Sequence, residues 1–235
     1  IDANTGSIPL KVYAPSGEGE HPIVVFNPGL NFNAEAYEST LRHLASWCYV
    51  VVANGKVYTP ITVNDETWTA DITRTVEWVR TSPAALGPSA DVDVIALLGH
   101  SGGAKNSFRA LAADDTLAST LIALDVSGRN PPLDSVQNIT APVLLLGETY
   151  NREGGLLGMN CAPAEQNFET YFGALTQSSR LMSINFANAD HLSWIDDRNC
   201  GLNCLACPEN PADRHAEVLR QTRRYTTAWL ETVLR

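Results

Sequence analysis

The sequence lacks any apolar run approaching the roughly 20 residues needed to cross a bilayer, so no membrane-spanning helix is predicted. Positive charge is also scarce, because 16 lysines and arginines stand against 26 aspartates and glutamates, for a formal net charge of -10. Such a chain repels a nucleic-acid backbone, and we do not expect nucleic acid as a partner.

No internal repeat or low-complexity linker interrupts the 235 residues, which predicts a single domain over 1–235. The oligomeric state does not follow from the sequence, and a monomer is our working expectation.

Cysteine is sparse as well, with five residues in the chain. Cys48 lies in an apolar strand pattern, and we interpret it as a buried thiol. The other four are Cys161, Cys200, Cys204 and Cys207. They allow two disulfides in three pairings, with free thiols or a metal site as alternatives. Disulfides would indicate a secreted protein or another oxidising compartment, and the start at Ile1 rather than methionine suggests a processed or trimmed form.

Short apolar segments alternate with helix-like segments along the chain. Strand patterns occupy 8–14, 22–27, 48–53, 93–98, 120–125, 142–147 and 181–187. Helix patterns occupy 34–46, 67–81, 103–113, 163–174 and about 212–233. Continuous β-branched runs that alternate with helices predict an α/β fold, with a mainly parallel central sheet covered by helices on both faces.

The stretch "LLGHSGGAKNSF" at 97–108 carries the pattern Gly-x-Ser-x-Gly between a strand and a helix. In this context Gly99 and Gly103 allow a tight turn that presents Ser101 above the sheet as a nucleophile. The alternative interpretation is an ordinary strand-to-helix turn in which Ser101 caps the helix.

A serine hydroxyl becomes nucleophilic when a neighbouring base removes its proton. Four of the five histidines fall in helices, before a strand or inside the turn itself, and we expect them to be structural or solvated: His21, His43, His100 and His215. His191 instead lies in the polar loop "NADHLSW" after the last strand pattern. This position fits the chain order serine, acid, histidine, so His191 is the predicted base.

The acid that orients the base has more than one candidate. Asp125 closes the strand pattern "TLIALD" and should reach the same sheet edge as Ser101. Glu148 follows the next strand and stays open as an alternative, whereas Asn151 would not offset a protonated imidazole. Asp190 adjoins the predicted base, and neighbouring side chains rarely face one another. We therefore predict Asp125 as the acid.

Acyl transfer also needs N–H donors for the oxyanion that develops on the substrate. The backbone N–H of Gly102, directly after the nucleophile, is one predicted donor. The second is the N–H of Leu30, in the turn "NPGLN" after an early strand. No metal and no cofactor is predicted, and the histidines lack the spacing of a zinc site.

Loops at this edge of an α/β sheet carry specificity, and 148–163 is long and rich in glycine. We expect it to form part of a substrate rim suited to an apolar ester. The rim candidates are Tyr150, Leu156, Leu157 and Met159, with Trp68 and Trp194 as further possibilities.

Three stretches resemble chlorophyllases of the α/β-hydrolase superfamily. "GHSGGAKNSFRAL" looks like their elbow and following helix, and "NCAPAEQNFETYF" (160–172) with "NADHLSWIDD" (188–197) looks like the segment that carries their histidine. The segment 22–53 is similar both to chlorophyllases and to polyester hydrolases related to cutinases. The resemblance implies an α/β-hydrolase fold and carries the acid over to Asp125. Chlorophyllase elbows usually have arginine where this chain has Gly102.

These features together predict a serine-dependent carboxylic-ester hydrolase without metal or cofactor. The resemblance implies chlorophyll, cleaved to chlorophyllide and phytol, or a related apolar ester as the small-molecule substrate. Alternatives are a cutinase-like polyester esterase, an acyltransferase or amidase with the same triad, and a non-catalytic binding protein that keeps the fold.

Overall fold

The computed structural model describes residues 2–6, 8–16, 19–87, 89–152, 160–198 and 207–235. Within these ranges eight strands form one sheet in the order β1-β2-β4-β3-β5-β6-β7-β8. The strands are β1 (Asp2–Thr5), β2 (Ile8–Tyr13), β3 (His21–Asn27), β4 (Val50–Asn54), β5 (Ala90–His100), β6 (Thr120–Leu124), β7 (Val143–Gly147) and β8 (Leu181–Asn185). The strands β1 and β2 pair antiparallel. The other six, which lie in the sheet in the order β4-β3-β5-β6-β7-β8, pair parallel with their neighbours. The predicted mainly parallel α/β sheet is confirmed.

Seven helices connect or follow these strands in the described part of the chain. They are α1 (Glu38–Ser46), α2 (Asp65–Thr81), α3 (Pro83–Leu86), α4 (Ser101–Ala113), α5 (Leu133–Val136), α6 (Phe168–Ala174) and α7 (His215–Leu234). Short 3₁₀ turns occupy Ala34–Tyr37, Tyr150–Arg152 and Ala164–Gln166. None of these described helices is both long and apolar enough to cross a membrane.

Both faces of the sheet are covered, because successive strand residues point to opposite sides. In β3, Ile23 and Val25 join one hydrophobic cluster while Val24 and Phe26 join the other. The first cluster packs α2, α4, α5 and α6 on one face, and the second packs α1 and α7 on the other. This double coverage explains why all seven residues of β3 are buried.

Strand β1 and Cys48 are among the details that differ from the sequence-based expectation. Strand β1 was not predicted, because "DANT" is polar and only its pairing with β2 makes it extended. Cys48 does not belong to β4 and is partly exposed rather than buried. It has a φ of 62° and ends α1: the N–H of Cys48 bonds the Ala45 carbonyl, and that of Tyr49 bonds Leu44.

The parallel strands end at a common edge of the sheet, and this edge positions the candidate site. Ser101 follows β5, Asp125 follows β6 and Glu148 follows β7, three strands that are neighbours in the sheet. The loop that holds His191 follows β8, the next strand. Residues far apart in sequence therefore meet at one place, as is usual for ligand sites in open α/β sheets.

Candidate active site

Ser101 lies at a sharp turn in which β5 ends at His100 and α4 begins at the next residue. Its φ of 53° is in the left-handed region, which is unfavourable for a serine and is held in place by the close packing around it. A Cβ atom on Gly99 would lie 2.7 Å from backbone atoms of Ala104, and one on Gly103 would overlap the Pro28 carbonyl oxygen. Both glycines of the pattern are therefore required by close backbone approach.

The three predicted triad residues lie together in a chain of two hydrogen bonds. Nε2 of His191 is 2.8 Å from the Ser101 hydroxyl oxygen, and Nδ1 of His191 is 2.5 Å from a carboxylate oxygen of Asp125. Asp125 is fully buried and His191 nearly so. This arrangement can remove a proton from the serine and stabilise the imidazolium that results.

Asp125 is held by backbone groups of the neighbouring strand β7 and of the residue after it. Its own N–H donates to the Leu146 carbonyl at 2.6 Å, and its second carboxylate oxygen accepts the Glu148 N–H at 3.2 Å. The φ of Asp125 is 39°, a region that aspartate enters more readily than most residues. These contacts turn the carboxylate from the end of β6 toward His191.

The loop of His191 is fixed through its backbone rather than through its ring. The His191 N–H donates to the side-chain oxygen of Asn151 at 2.7 Å, and Asn151 in turn donates to the Pro208 carbonyl at 2.9 Å. Asn151 thus contacts the base without touching the imidazole. Asp190 points away and pairs with Arg198, as expected for side chains adjacent in sequence.

The loop after β3 offers one free amide near the turn of Ser101. The Gly29 N–H donates to the Tyr37 hydroxyl at 3.1 Å, and the Asn31 N–H donates to the Tyr58 carbonyl at 2.7 Å. In the described part of the chain the Leu30 N–H has no acceptor. The Gly102 N–H, in the first turn of α4, has none within its helix. The role of these two amides as oxyanion donors stays a prediction.

Comparison with known proteins gives the family. The family model described as Chlorophyllase matches residues 2–216. The chain belongs to the chlorophyllase family. Curated relatives include "Chlorophyllase-1, chloroplastic" of Citrus sinensis, 26% identical over 211 residues, and "Chlorophyllase-1" of Arabidopsis thaliana, 24% identical over 220 residues. These alignments cover 80% and 83% of this chain but only 60% and 66% of the two relatives.

Gly102 is a departure from the arginine usual in chlorophyllase elbows, and the structure gives a packing reason for glycine. A Cβ atom at Gly102 would lie 3.0 Å and 3.1 Å from ring atoms of Trp68. Trp68 is also held by Tyr58, whose ring stacks on it with centroids 4.1 Å apart. The indole ring therefore occupies the space that a longer side chain would need.

The expectations for the substrate rim have different outcomes. Tyr150 is exposed to 40% and lies two residues after Glu148. Trp194 is only 1% exposed and stacks against His100, so its assignment to the rim is wrong: it fills the core behind the base. Trp68 is likewise buried. Leu156, Leu157 and Met159 lie outside the described residues.

A disulfide joins Cys161 to Cys207, which is one of the links that the cysteine pattern allowed. Cys200 and Cys204 lie outside the described residues. The link brings the segment before α6 next to the segment before α7. It is close to the base, because the Ala162 N–H donates to the Asn151 carbonyl at 3.3 Å. A disulfide is compatible with an oxidising compartment.

A second acid, Glu148, lies beside the triad and is fully buried. Its carboxylate accepts the Asn151 N–H at 3.0 Å and 3.3 Å. Burial and, after it, the charge of Asp125 raise the pKa of Glu148 to about 9.

Asp125, Glu148 and His191 also offer ligand atoms within 4.8 Å of one another. The direct hydrogen bond from His191 to Asp125 already joins two of them, so a cation would have to displace it.

Sequence reasoning treated His100 as structural and did not single out Tyr37. In the structure His100 contacts the Tyr37 hydroxyl and the His191 carbonyl oxygen, and its ring centroid is 5.0 Å from that of His191. His100 directly precedes Ser101 in the sequence, and this position indicates that it lies near the site. The signal for Tyr37 is weaker, because a single tyrosine in a helix pattern is usually part of the core.

Proposed function

We propose that this chain is a serine-dependent carboxylic-ester hydrolase acting on an apolar ester of the chlorophyll type. The observation that carries the proposal is the unbroken pair of hydrogen bonds from Ser101 through His191 to the buried Asp125. Family membership supports the reaction class. The relatives' printed names support chlorophyll as the first ester to test.

In the acylation half of the reaction, the Ser101 oxygen attacks the ester carbonyl and its proton passes to Nε2 of His191. The carbonyl oxygen gains negative charge and accepts hydrogen bonds from the N–H groups of Leu30 and Gly102. The carboxylate of Asp125 stabilises the imidazolium. When the tetrahedral intermediate collapses, the alcohol leaves with the proton from His191, and an acyl-serine remains.

In the second half, water attacks the acyl carbonyl while Nε2 of His191 takes one of its protons. The same N–H groups hold the second oxyanion. Collapse returns the proton to Ser101 and releases the carboxylic acid, so the site is regenerated without a redox change or an added group. For chlorophyll the products would be chlorophyllide and phytol.

The substrate rim is proposed to include Tyr150, which is 40% exposed and begins the short turn two residues after Glu148. We further propose that the protein works in an oxidising compartment, because the disulfide between Cys161 and Cys207 is stable under such conditions. A count of free thiols in the protein purified from its natural source tests this proposal: a disulfide between Cys161 and Cys207 supports it, and two free thiols at these positions contradict it.

The decisive experiment compares the purified chain with its Ser101→Ala variant on chlorophyll a and on a short p-nitrophenyl ester. We expect both substrates to be cleaved and the variant to lose at least about 10³-fold in kcat on both, with an unchanged melting temperature. Ser107→Ala is the matched control: Ser107 lies in the same helix α4, where its hydroxyl donates to the Gly103 carbonyl and accepts from Asn27.

The outcomes separate the parts of the proposal. Cleavage of the short ester alone would keep the triad and direct the substrate search to polyesters and lipids. Transfer of the acyl group to an added alcohol in preference to water would indicate an acyltransferase. An active Ser101→Ala variant would contradict catalysis by Ser101. No cleavage of any ester by the unaltered chain would instead favour a non-catalytic member of the family.

A further inference from the structure

The chain places two buried carboxyl groups side by side at the triad, although one acid is sufficient for a serine hydrolase. Asp125 follows β6 and Glu148 follows β7, and these strands are hydrogen-bonded neighbours in the sheet. Both residues have an exposed fraction of 0%. One carboxylate oxygen of each and one ring nitrogen of His191 all lie within 4.8 Å of one another.

Few groups could offset a charge on Glu148. Its carboxylate accepts the Asn151 N–H, and the Tyr150 N–H also favours its ionised form, but no lysine or arginine pairs with it among the described residues. The other charged groups that act on it are Asp125 and Asp190, both negative, and the positive partner of Asp190 is Arg198. The imidazole of His191, which has a ring nitrogen within 4.8 Å of a Glu148 carboxylate oxygen, is a neighbouring group that could gain a positive charge.

Two carboxylates this close, both buried from solvent, do not both ionise readily, because each charge opposes the other and burial disfavours the charged form of each. Asp125 has the direct hydrogen bond to the imidazole, at 2.5 Å, so the negative charge belongs on Asp125. The pKa of about 9 for Glu148 agrees with this division. Glu148 then stays protonated at neutral pH.

We propose that Asp125 and Glu148 act as a pair that holds one negative charge beneath His191, with Glu148 uncharged while Asp125 is ionised and taking over the charge when Asp125 cannot carry it. Glu148 is in this sense a positioning residue, since it acts on the reacting atoms through the other two. The inference rests on the proposed ester hydrolysis for its catalytic meaning. The charge division itself is a property of the folded chain.

The first test is a double-mutant cycle on the short p-nitrophenyl ester, with the unaltered chain, Asp125→Asn, Glu148→Gln and the double variant. We expect Glu148→Gln to lower kcat by about threefold relative to the unaltered chain. In the Asp125→Asn background we expect the same substitution to lower kcat by at least about tenfold relative to Asp125→Asn. Equal factors in both backgrounds would overturn the proposal. Glu165→Gln, at an exposed glutamate, is the matched control and should leave kcat unchanged.

The second test reads the charge directly and needs no substrate. Infrared spectra of the unaltered chain at pH 7 should show the carbonyl stretch of a protonated buried carboxyl group, and Glu148→Gln should remove it. In Asp125→Asn the same band should vanish at a pH about one unit or more lower than in the unaltered chain, because the opposing charge is gone. The proposed pair would be overturned if the band were absent at pH 7, or if the pH at which it vanishes were the same in Asp125→Asn and in the unaltered chain.

The two tests also keep this inference apart from the proposed function. If the unaltered chain cleaves no ester, the proposed function fails while the infrared bands still decide whether the pair exists. If the Glu148→Gln variant does not fold, the comparison of the unaltered chain with Asp125→Asn still decides it.

Discussion

The Tyr37 hydroxyl lies 2.7 Å from Nδ1 of His100, and this contact joins the two loops that meet at Ser101. The same hydroxyl accepts the Gly29 N–H and donates its own proton to Nδ1 of His100, because the other nitrogen of this ring faces a carbonyl oxygen, which can only accept. Nε2 of His100 then carries the ring proton and donates to the His191 carbonyl oxygen at 3.0 Å. Burial lowers the pKa of His100 well below its usual value and raises that of Tyr37, so neither group is charged in this chain of contacts.

The Tyr37→Phe substitution should loosen the loop that carries the predicted oxyanion donor Leu30. Without the hydroxyl, the Gly29 N–H and Nδ1 of His100 both lose a buried partner, at a cost of about 1–3 kcal/mol in stability. We expect kcat on a short ester to fall by about tenfold or more with little change in KM, because the oxyanion is held mainly in the transition state.

Steady-state kinetics and thermal unfolding of Tyr37→Phe check this prediction. The control is Tyr171→Phe, because the Tyr171 hydroxyl is buried without a partner in the described part of the chain. Its removal should leave stability equal or higher and kcat unchanged. Equal losses of kcat in both variants would mean that the contact between Tyr37 and His100 has no special role.

The proximity of the three predicted triad residues could be anticipated from the sequence because each of them follows a recognisable strand. Ser101 is the central residue of the pattern Gly-x-Ser-x-Gly, Asp125 ends an apolar run, and His191 lies in a polar loop after the last strand. Parallel strands that end at one edge bring such residues together whatever the details of packing. Their spatial proximity therefore follows from the strand order alone.

Side-chain direction and burial could not be predicted in the same way. Trp194 lies three residues after the base and was expected at the rim, yet it packs inward against His100. Tyr37 reaches His100 over a separation of 63 residues, a contact that no local pattern signals. The charge state of Glu148 depends on its burial beside Asp125, which also emerges only in the folded chain.

The two glycines Gly103 and Gly173 should respond in opposite ways to replacement by alanine. A Cβ atom at Gly103 would overlap the carbonyl oxygens of Asn27 and Pro28, which are backbone atoms and cannot rotate away. We expect a loss of about 3 kcal/mol or more in the free energy of unfolding, as for other overpacked sites. Gly173, within α6, has nothing within 4 Å of such an atom, and its replacement should stabilise by about 0.5 kcal/mol.

Chemical denaturation of the Gly103→Ala and Gly173→Ala variants measures both effects. A Gly103→Ala variant with unchanged stability would mean that the loop after β3 yields easily, contrary to the close packing of this turn.

Glu148 should make the unaltered chain less stable as pH rises. Its pKa of about 9 in the folded chain lies above the ordinary value of 4.5, so between these pH values the unfolded chain has lost a proton that the folded chain keeps. Between these pH values each pH unit lowers the free energy of unfolding by 1.36 kcal/mol. At pH 7 the loss relative to pH 4.5 is about 3 kcal/mol. The contribution of protonated Glu148 to the stability of the fold is fully present below about pH 4.5 and is lost as pH rises toward 9.

Removing the titration should remove this slope. We expect Glu148→Gln to gain stability relative to the unaltered chain as pH rises from 5 to 8, measured by urea unfolding at several pH values. Glu165→Gln, at an exposed carboxylate, should follow the unaltered chain throughout. Parallel curves for Glu148→Gln and the unaltered chain would show that Glu148 is ionised in the fold.

The disulfide between Cys161 and Cys207 should contribute stability through the chain it closes. The two residues are 46 positions apart, and closing a loop of that length in the unfolded chain corresponds to about 4 kcal/mol in the loop-entropy description. The double substitution to serine should therefore lower the free energy of unfolding by a few kcal/mol. It should also lower kcat, because the link fixes the segments that bond to Asn151, the residue that holds the His191 N–H.

Cys48→Ser is the matched control for that double variant, since Cys48 is a free thiol that is partly exposed at the end of α1. Its replacement should change stability by less than about 0.5 kcal/mol, as for most surface substitutions. If the double variant lost stability but kept its full kcat, the link would hold the fold without positioning His191, and Asn151 would have to be held by its contacts with Glu148 and Pro208 alone. If both variants lost the same amount, the loss would come from serine replacing cysteine and the closed loop would contribute nothing.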